Sequence, residues 1–502
     1  MKNLKILENE YWWAADVSMG IHMPLNSKSK ITIDLGADDS QNPKNPFMLS
    51  SKGRYVWSEL PFCADFDNGD VSFDREVEFY DGYENLKGAY LAIMQEHFRF
   101  EGKIPPKEFF LHPQYNTWIE LMYDQTENDI LKYAESIIEN GFKPGILMID
   151  DNWMVDYGDW RFSSERFNDP AGMCKKLKKM GFKIMLWVCP FVSADSANFR
   201  KLEKMGCLLL DSEGNPAIRL WWNGYSAVLD MTNPKACEWF KCELDKLVNE
   251  YGVDGFKFDA VDPYMYHMDD KSFVPPKTVM DQTEAYCRFA LQYEYNELRA
   301  GYKYGGTPLV MRLADKGHTW EENGLNTLLP NSIIQALSGY AYHCPDMVGG
   351  GHLGNFCDNN WDYDSELFVR CAQASALMPM MQISASPWRV LDKEHSDMVK
   401  AAMDLHDKFG ETILNLAENA AKTGEPIVRH MAYEFPDCMM EEVSDQFMLG
   451  SDILVAPVLQ KGVRERYVKL PGGKWRTEDG SVYTESGVIP APLEKLLWLK
   501  KI

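Results

Sequence analysis

The feature that most constrains this chain is an alternation that begins near residue 111 and persists for about 300 residues. A short apolar run is followed by a stretch with helical spacing, and then by another apolar run. NTWIEL precedes the amphipathic TENDILKYAESIIENG, and GILMID precedes NDPAGMCKKLKKMG, whose closing Gly suits a helix C-cap. Further candidate strands read KIMLWV, GFKFDA, PLVMRL, YAYHC, MPMMQIS and PIVRHM, which brings the count to eight. Eight β/α units predict an α/β fold of one kind, the closed (β/α)8 TIM barrel. An open doubly wound sheet is disfavoured because no Gly-rich phosphate turn follows the first strand.

The flanks read differently. Residues 1–110 hold short alternating segments, KITIDL, RYVWSEL and VSFDREVEFY, separated by Ser, Asn, Pro, Gly and Asp, which predicts an N-terminal β-domain. The barrel is expected over 111–431. From 432 to 502, DQFMLGSDILVAPVL and RERYVKLP predict a C-terminal β-domain. A length of 502 residues suits a large central domain with smaller satellites.

Composition narrows the partners. Asp and Glu outnumber Lys and Arg by 75 to 52, a formal net charge of −23, so neither nucleic acid nor an anionic membrane surface is an expected partner. The opening MKNLKILENEYWW lacks the apolar core of a signal peptide, and no run reaches the roughly 18 apolar residues of a membrane span. The expectation is a soluble, cytoplasmic protein. Eleven cysteines, an odd number without CxxC pairs, indicate neither a disulfide framework nor a metal site.

A parallel barrel carries its chemistry at the carboxyl ends of its strands. Polar residues that end an apolar run here are Glu120, Asp150, Asp151, Asp259, Arg312, Asp315 and Asp346. Any one of these could be a helix cap or a solvated loop residue, but together they suggest a site. In GVDGFKFDA, Lys257 and Asp259 share one side of a strand and Phe256 and Phe258 the other, so the lysine is expected to keep Asp259 ionised. Asp315 follows what reads as the next strand, on a loop suited to a proton donor. Two such carboxylates are the minimum equipment for glycoside hydrolysis, roughly 5 to 5.5 Å apart for retention and roughly 6.5 to 9.5 Å for inversion. Trp118, Trp153, Trp187, Trp221, Trp222 and Trp388 lie on or near the strand ends, where aromatic faces could pack on sugar rings, although singly a tryptophan is more often a core residue.

These residues resemble glycoside hydrolase family 31, over most of 110–460, and in particular a branch of it that includes bacterial α-galactosidases. GFKFDA is similar to the family's nucleophile strand, which implies Asp259 as nucleophile. The family's Asp followed five residues later by Trp is matched by Asp315 and Trp320, which implies Asp315 as acid/base. MIDDNW resembles the motif whose aspartate holds outer hydroxyls of the −1 sugar, mapping to Asp150 with Asp151 beside it. RLWWNGYSAVLDMTNP, MRLADKGHTW and MPMMQISASPWR look like that branch, and DQFMLGSDILVAPV like the opening of the family's C-terminal domain. Where common α-glucosidases of the family carry Arg-x-His, this chain reads Gln382, Ile383, Ser384, and where they carry DAGE it reads Asp259, Ala260, Val261, Asp262.

The branch resemblance implies a sugar with an axial 4-hydroxyl. Trp221 or Trp222 would shape that part of the pocket, with Trp187, Lys257, Arg312, Asp346, Gln382 and Trp388 also among the sugar-binding residues. It implies a retaining, exo-acting α-glycosidase, first of α-galactose and alternatively of α-glucose or α-xylose, or else a silent sugar-binding relative. The partner would be an oligosaccharide or glycoside, with no cofactor and no metal, and a homo-oligomer is left open.

Overall fold

The computed structural model describes residues 2–36, 41–98, 100, 102–356 and 363–502. They fall into two compact units, one gathering residues within 1–36, 42–113 and 303–502, the other 114–302 with a short piece near residue 41.

The second unit is a run of parallel strands with helices between them. Its strands are β1 (Gln114–Asn116), β2 (Ile146–Ile149), β3 (Lys183–Val188), β4 (Gly255–Phe258) and β5 (Tyr295–Leu298). Adjacent strands pair in parallel, with Tyr115 opposite Leu147, Ile146 opposite Lys183, Met185 opposite Gly255 and Gly255 opposite Tyr295. Covered on both faces, ILMI, KIMLWV and GFKF read as apolar runs, as buried parallel strands do. Helices start where the sequence caps them. Thr126 accepts from the Asp129 N–H, and Asp169 and Asn233 each precede a Pro at the first turn. On β4 the period of two sends Phe256 and Phe258 outward to Tyr286, Phe289 and Tyr293, with ring centroids 5.0 to 6.0 Å apart. Lys257 and Asp259 therefore face the other way.

The first unit carries three more parallel strands, β6 (Met311–Arg312), β7 (His343–Cys344) and β8 (Gln382–Ile383). β6 and β7 pair in parallel, and Val348, just beyond β7, makes a parallel bridge to Ile383. The same unit holds two four-stranded antiparallel sheets built from residues 3–80 and a six-stranded antiparallel sheet from residues 428–501. One apolar core unites Trp12, Trp13 and Phe47 with Tyr433, Trp475 and Leu499. Among the described residues, no helix is long and apolar enough to cross a membrane.

The parallel strands number eight among the described residues, but they are not the eight read from sequence. In NTWIEL the strand stops at Asn116, whose side chain accepts from the Trp118 N–H and starts a helical turn, Thr117–Leu121. Glu120 therefore sits in a helix and ends no strand. PIVRHM contributes only Val428–Arg429, which pairs antiparallel with Phe447–Leu449 in the C-terminal sheet. The strand overlooked is β5, whose YNEL buries Asn296 and Glu297. The two errors offset each other in the count. They matter for the site, because a whole strand separates β4 from the one that leads to Asp315.

Candidate active site

Strand-end carboxylates occur in both units. In residues 114–302 the best-held one is Asp259. Its backbone N–H still donates to the Val188 carbonyl at 2.9 Å, so the residue is fixed by the end of the ladder. Trp187 Nε1 donates to its Oδ2 at 2.9 Å. Its Oδ1 accepts from Arg299 Nε and Nη2 at 3.2 and 3.0 Å, and from the Ala260 N–H at 2.8 Å. Ala260 achieves this with φ of +63°, a left-handed conformation that a non-glycine residue adopts at a cost of about 1 kcal/mol or more. Donors on both oxygens, two of them from a guanidinium, suit an anion of fixed direction.

Arg299, just past β5, also bonds Asp262 Oδ2 at 3.0 Å, and its guanidinium lies 5.6 Å from the centre of the Trp222 ring. Burial pushes Asp262 up to about 6 despite that arginine. Lys257 bonds Asp150 at 2.7 Å, both nearly fully buried, and Arg299 bonds Asp259.

Asp151 is the other buried acid here. It accepts from the Tyr157 hydroxyl at 3.1 and 3.2 Å, from Asn223 Nδ2 at 2.6 Å and from the Asn152 N–H at 2.6 Å, and Asn152 too has a positive φ, +70°. Burial, then the neighbouring Asp150, pushes it up to about 7. Asn223 sits in the turn of a hairpin, Ile218–Trp221 with Gly224–Val228, and its Oδ1 accepts from the Tyr123 hydroxyl at 3.0 Å. The same hairpin stacks Trp221 on Phe191, centroids 4.4 Å apart, and on Trp187 at 6.4 Å, and leaves Trp222 half in solvent. Trp153 is core, donating to the Trp187 carbonyl, and Trp118 packs edge-on to Tyr123. Arg219 is bonded to Asp270 and to the Met265 carbonyl.

In residues 303–502, the buried Arg312 guanidinium bonds Asp315 Oδ1 at 2.9 Å and Asp346 Oδ1 at 2.6 Å. Asp346 also accepts from the N–H groups of Lys316 and Gly351 at 2.5 and 2.8 Å, and burial pushes it up to about 6 with Arg312 opposing. Asp315 keeps about a third of its side chain in solvent (31%). Gly351 lies against it: a Cβ there would come within 3.2 Å of Asp315 Oδ1. Gln382 and Ser384 are buried at β8, and Trp388 is half-buried on the short helix Pro387–Val390.

The structure thus gathers Asp150, Asp151, Trp187, Trp221, Trp222, Lys257 and Asp259 into one connected network, and Arg312, Asp315 and Asp346 into another. It adds Arg299, Tyr157, Asn223 and Tyr123, which the sequence did not single out. Arg299 depended on seeing β5, and the others on seeing which hairpin and turn fold over β2.

Acidic groups thus stand at the carboxyl ends of several parallel strands, the place where parallel β/α barrels carry their chemistry. The model of the glycosyl hydrolases family 31 TIM-barrel domain matches residues 105–409, and that of the family 31 C-terminal domain matches residues 424–499. The chain belongs to glycosyl hydrolase family 31, and its eight parallel strands are those of a (β/α)8 barrel. It is 32% identical over 404 residues to the myogenesis-regulating glycosidase of Mus musculus, covering 79% of this chain and 56% of that protein. It is 25% identical to α-xylosidase XylQ of Lactiplantibacillus pentosus, covering 90% and 61%. The chain therefore spans less than two thirds of either relative. A GH31 α-xylosidase from a soil metagenome, solved with xylose, shares the fold with a TM-score of 0.85 at 20% identity, covering 99% of this chain and 79% of that one.

Proposed function

We propose that the protein hydrolyses terminal α-linked glycosides with retention of configuration. An Asp259 carboxylate oxygen attacks the anomeric carbon while Asp315 gives its proton to the departing glycosidic oxygen, leaving a glycosyl ester on Asp259. Asp315 then takes a proton from water, whose oxygen attacks the same carbon and frees Asp259. The observation that carries this reading is the set of donors on Asp259, which aims an anion from a strand end. Asp150, Asp151, Trp187, Trp221, Trp222, Lys257, Arg312, Asp346, Gln382 and Trp388 complete the proposed sugar-binding set, Lys257 and Arg312 acting through the aspartates they bond. The division at residues 110 and 431 is part of the same reading.

For the sugar we propose α-galactose, on the branch motifs around Trp221 and Trp222. The likeness to an enzyme named α-xylosidase over 90% of the chain favours α-xylose as the second reading. A panel of aryl α-galactosides, α-glucosides and α-xylosides separates them by kcat/KM. A fluorinated glycosyl fluoride of the preferred sugar is expected to leave a covalent adduct on Asp259, and Asp259→Asn to lower kcat on the order of 10³-fold or more. Full activity in Asp259→Asn with no adduct would overturn the mechanism.

A further inference from the structure

This inference rests on Asp315 being the acid/base. Three residues beyond it, His318 uses both ring nitrogens. Its Nε2 lies 3.0 Å from the backbone N–H of Asp364, and since that group only donates, Nε2 accepts and carries no proton. Its Nδ1 lies 2.8 Å from the carbonyl oxygen of Gly349, which only accepts, so Nδ1 carries the proton. Two partners of opposite kind fix one neutral tautomer, and burial, which holds His318 below its ordinary range, agrees with them.

The segment is fastened again two residues on. Trp320 Nε1 donates to Asp364 Oδ2 at 2.9 Å, and Lys461 Nζ, from the C-terminal sheet region, donates to the same oxygen at 2.7 Å. The other Asp364 oxygen caps the helix Ser365–Ala376 through the Leu367 N–H. On the opposite side, the Lys316 carbonyl accepts from the His352 N–H at 3.1 Å, and Gly350 lies so close that a Cβ would meet that carbonyl oxygen at 2.6 Å. Residues 316–320 are thus held between the 349–352 turn and Asp364.

We propose that His318 is a positioning residue for Asp315, a neutral imidazole latch that holds the acid/base segment in register. Lys461 completes the latch through Asp364. A general acid works only within hydrogen-bond reach of the oxygen it protonates, and Asp315 stands on a loop, so its aim depends on what holds that loop. His318 touches no reacting atom in this scheme and acts through Asp315.

The test separates proton donation from everything else by leaving group. A dinitrophenyl α-glycoside of the preferred sugar departs without a proton, whereas the phenyl α-glycoside needs one. His318→Phe keeps the bulk and removes both ring contacts. It is expected to lower kcat/KM for the phenyl glycoside about 10- to 100-fold and for the dinitrophenyl glycoside less than about 3-fold, within the range general acid catalysis supplies. His318→Gln, which retains one donor and one acceptor, is expected to recover most of the loss. Lys461→Met, at a mostly exposed side chain, should show the same selective pattern at smaller size. Asp315→Ala is the reference and should be the most selective of all. If Asp315→Ala is selective while His318→Phe and Lys461→Met lower both substrates equally or neither, the latch is overturned. If Asp315→Ala is itself unselective, the acid/base assignment beneath it falls instead.

Discussion

Asp151 sits with a raised affinity for its proton between Tyr157, Asn223 and Asp150, and stability should register that. Its folded value of about 7 stands above the roughly 3.9 of a free aspartate, so the folded protein holds a proton that the unfolded chain releases. The contribution is fully present below about pH 4 and is lost as pH rises to about 7. Asp262 and Asp346, both near 6, act in the same direction. The expectation is that Asp151→Asn gains thermal stability relative to the parent as pH rises from 4 to 8, read as the difference in Tm across that range. A difference flat in pH would refute it. At this scale the acids were legible in the sequence because each ends an apolar run. Their partners were not: Asn223 is 72 residues from Asp151 and Arg299 is 40 from Asp259. No local pattern records which distant donor a fold delivers to a carboxylate.

The element whose geometry controls most of the site is β4. Gly255 opens it, and a Cβ there would meet the Tyr295 carbonyl oxygen at 1.9 Å and the Tyr295 Cβ at 2.4 Å. Both are parts of β5 that cannot swing away. Gly255→Ala should therefore prise β4 from β5, destabilise by about 1 to 3 kcal/mol or more, and separate Asp259 from Arg299. A lower midpoint in denaturant together with a lower kcat would be the signature, and an unchanged protein would show that the strands can part without loss. Elements were legible in proportion to how apolar they are. KIMLWV and ILMI announce themselves, whereas β5 has two polar residues in four, and its burial comes from the sheet on either side. NTWIEL misled because Asn116 both ends a strand and caps a helix, two roles that one apolar window merges.

At the scale of the whole molecule, the C-terminal sheet is part of the structure that carries Asp315. Arg370, buried in the helix 365–376, donates to the carbonyls of Val463, Ala491 and Pro492 at 3.0 to 3.2 Å, and burial holds it down near 10. Removing residues 424–502 would leave that guanidinium without those acceptors. The truncation would also strip Tyr433, Trp475 and Leu499 from the core they share with Trp12, Trp13 and Phe47. Exposing a large apolar side chain costs about 1.5 to 3 kcal/mol, so several together take a large share of the roughly 5 to 15 kcal/mol by which proteins are stable. A chain ending at Thr423 is expected to be insoluble or to melt without a cooperative transition, and a sharp parent-like melt would contradict this.

The shared core of Trp12, Trp13 and Trp475 also sets a timetable. Trp475 is made 463 residues after Trp12 (475 − 12), which at about 5 to 20 residues per second takes roughly 20 to 90 s. For that interval the first apolar strands on the ribosome lack the partners that will cover them. The exposure of this chain's apolar surface is therefore greatest during its own synthesis, before Trp475 arrives to cover it.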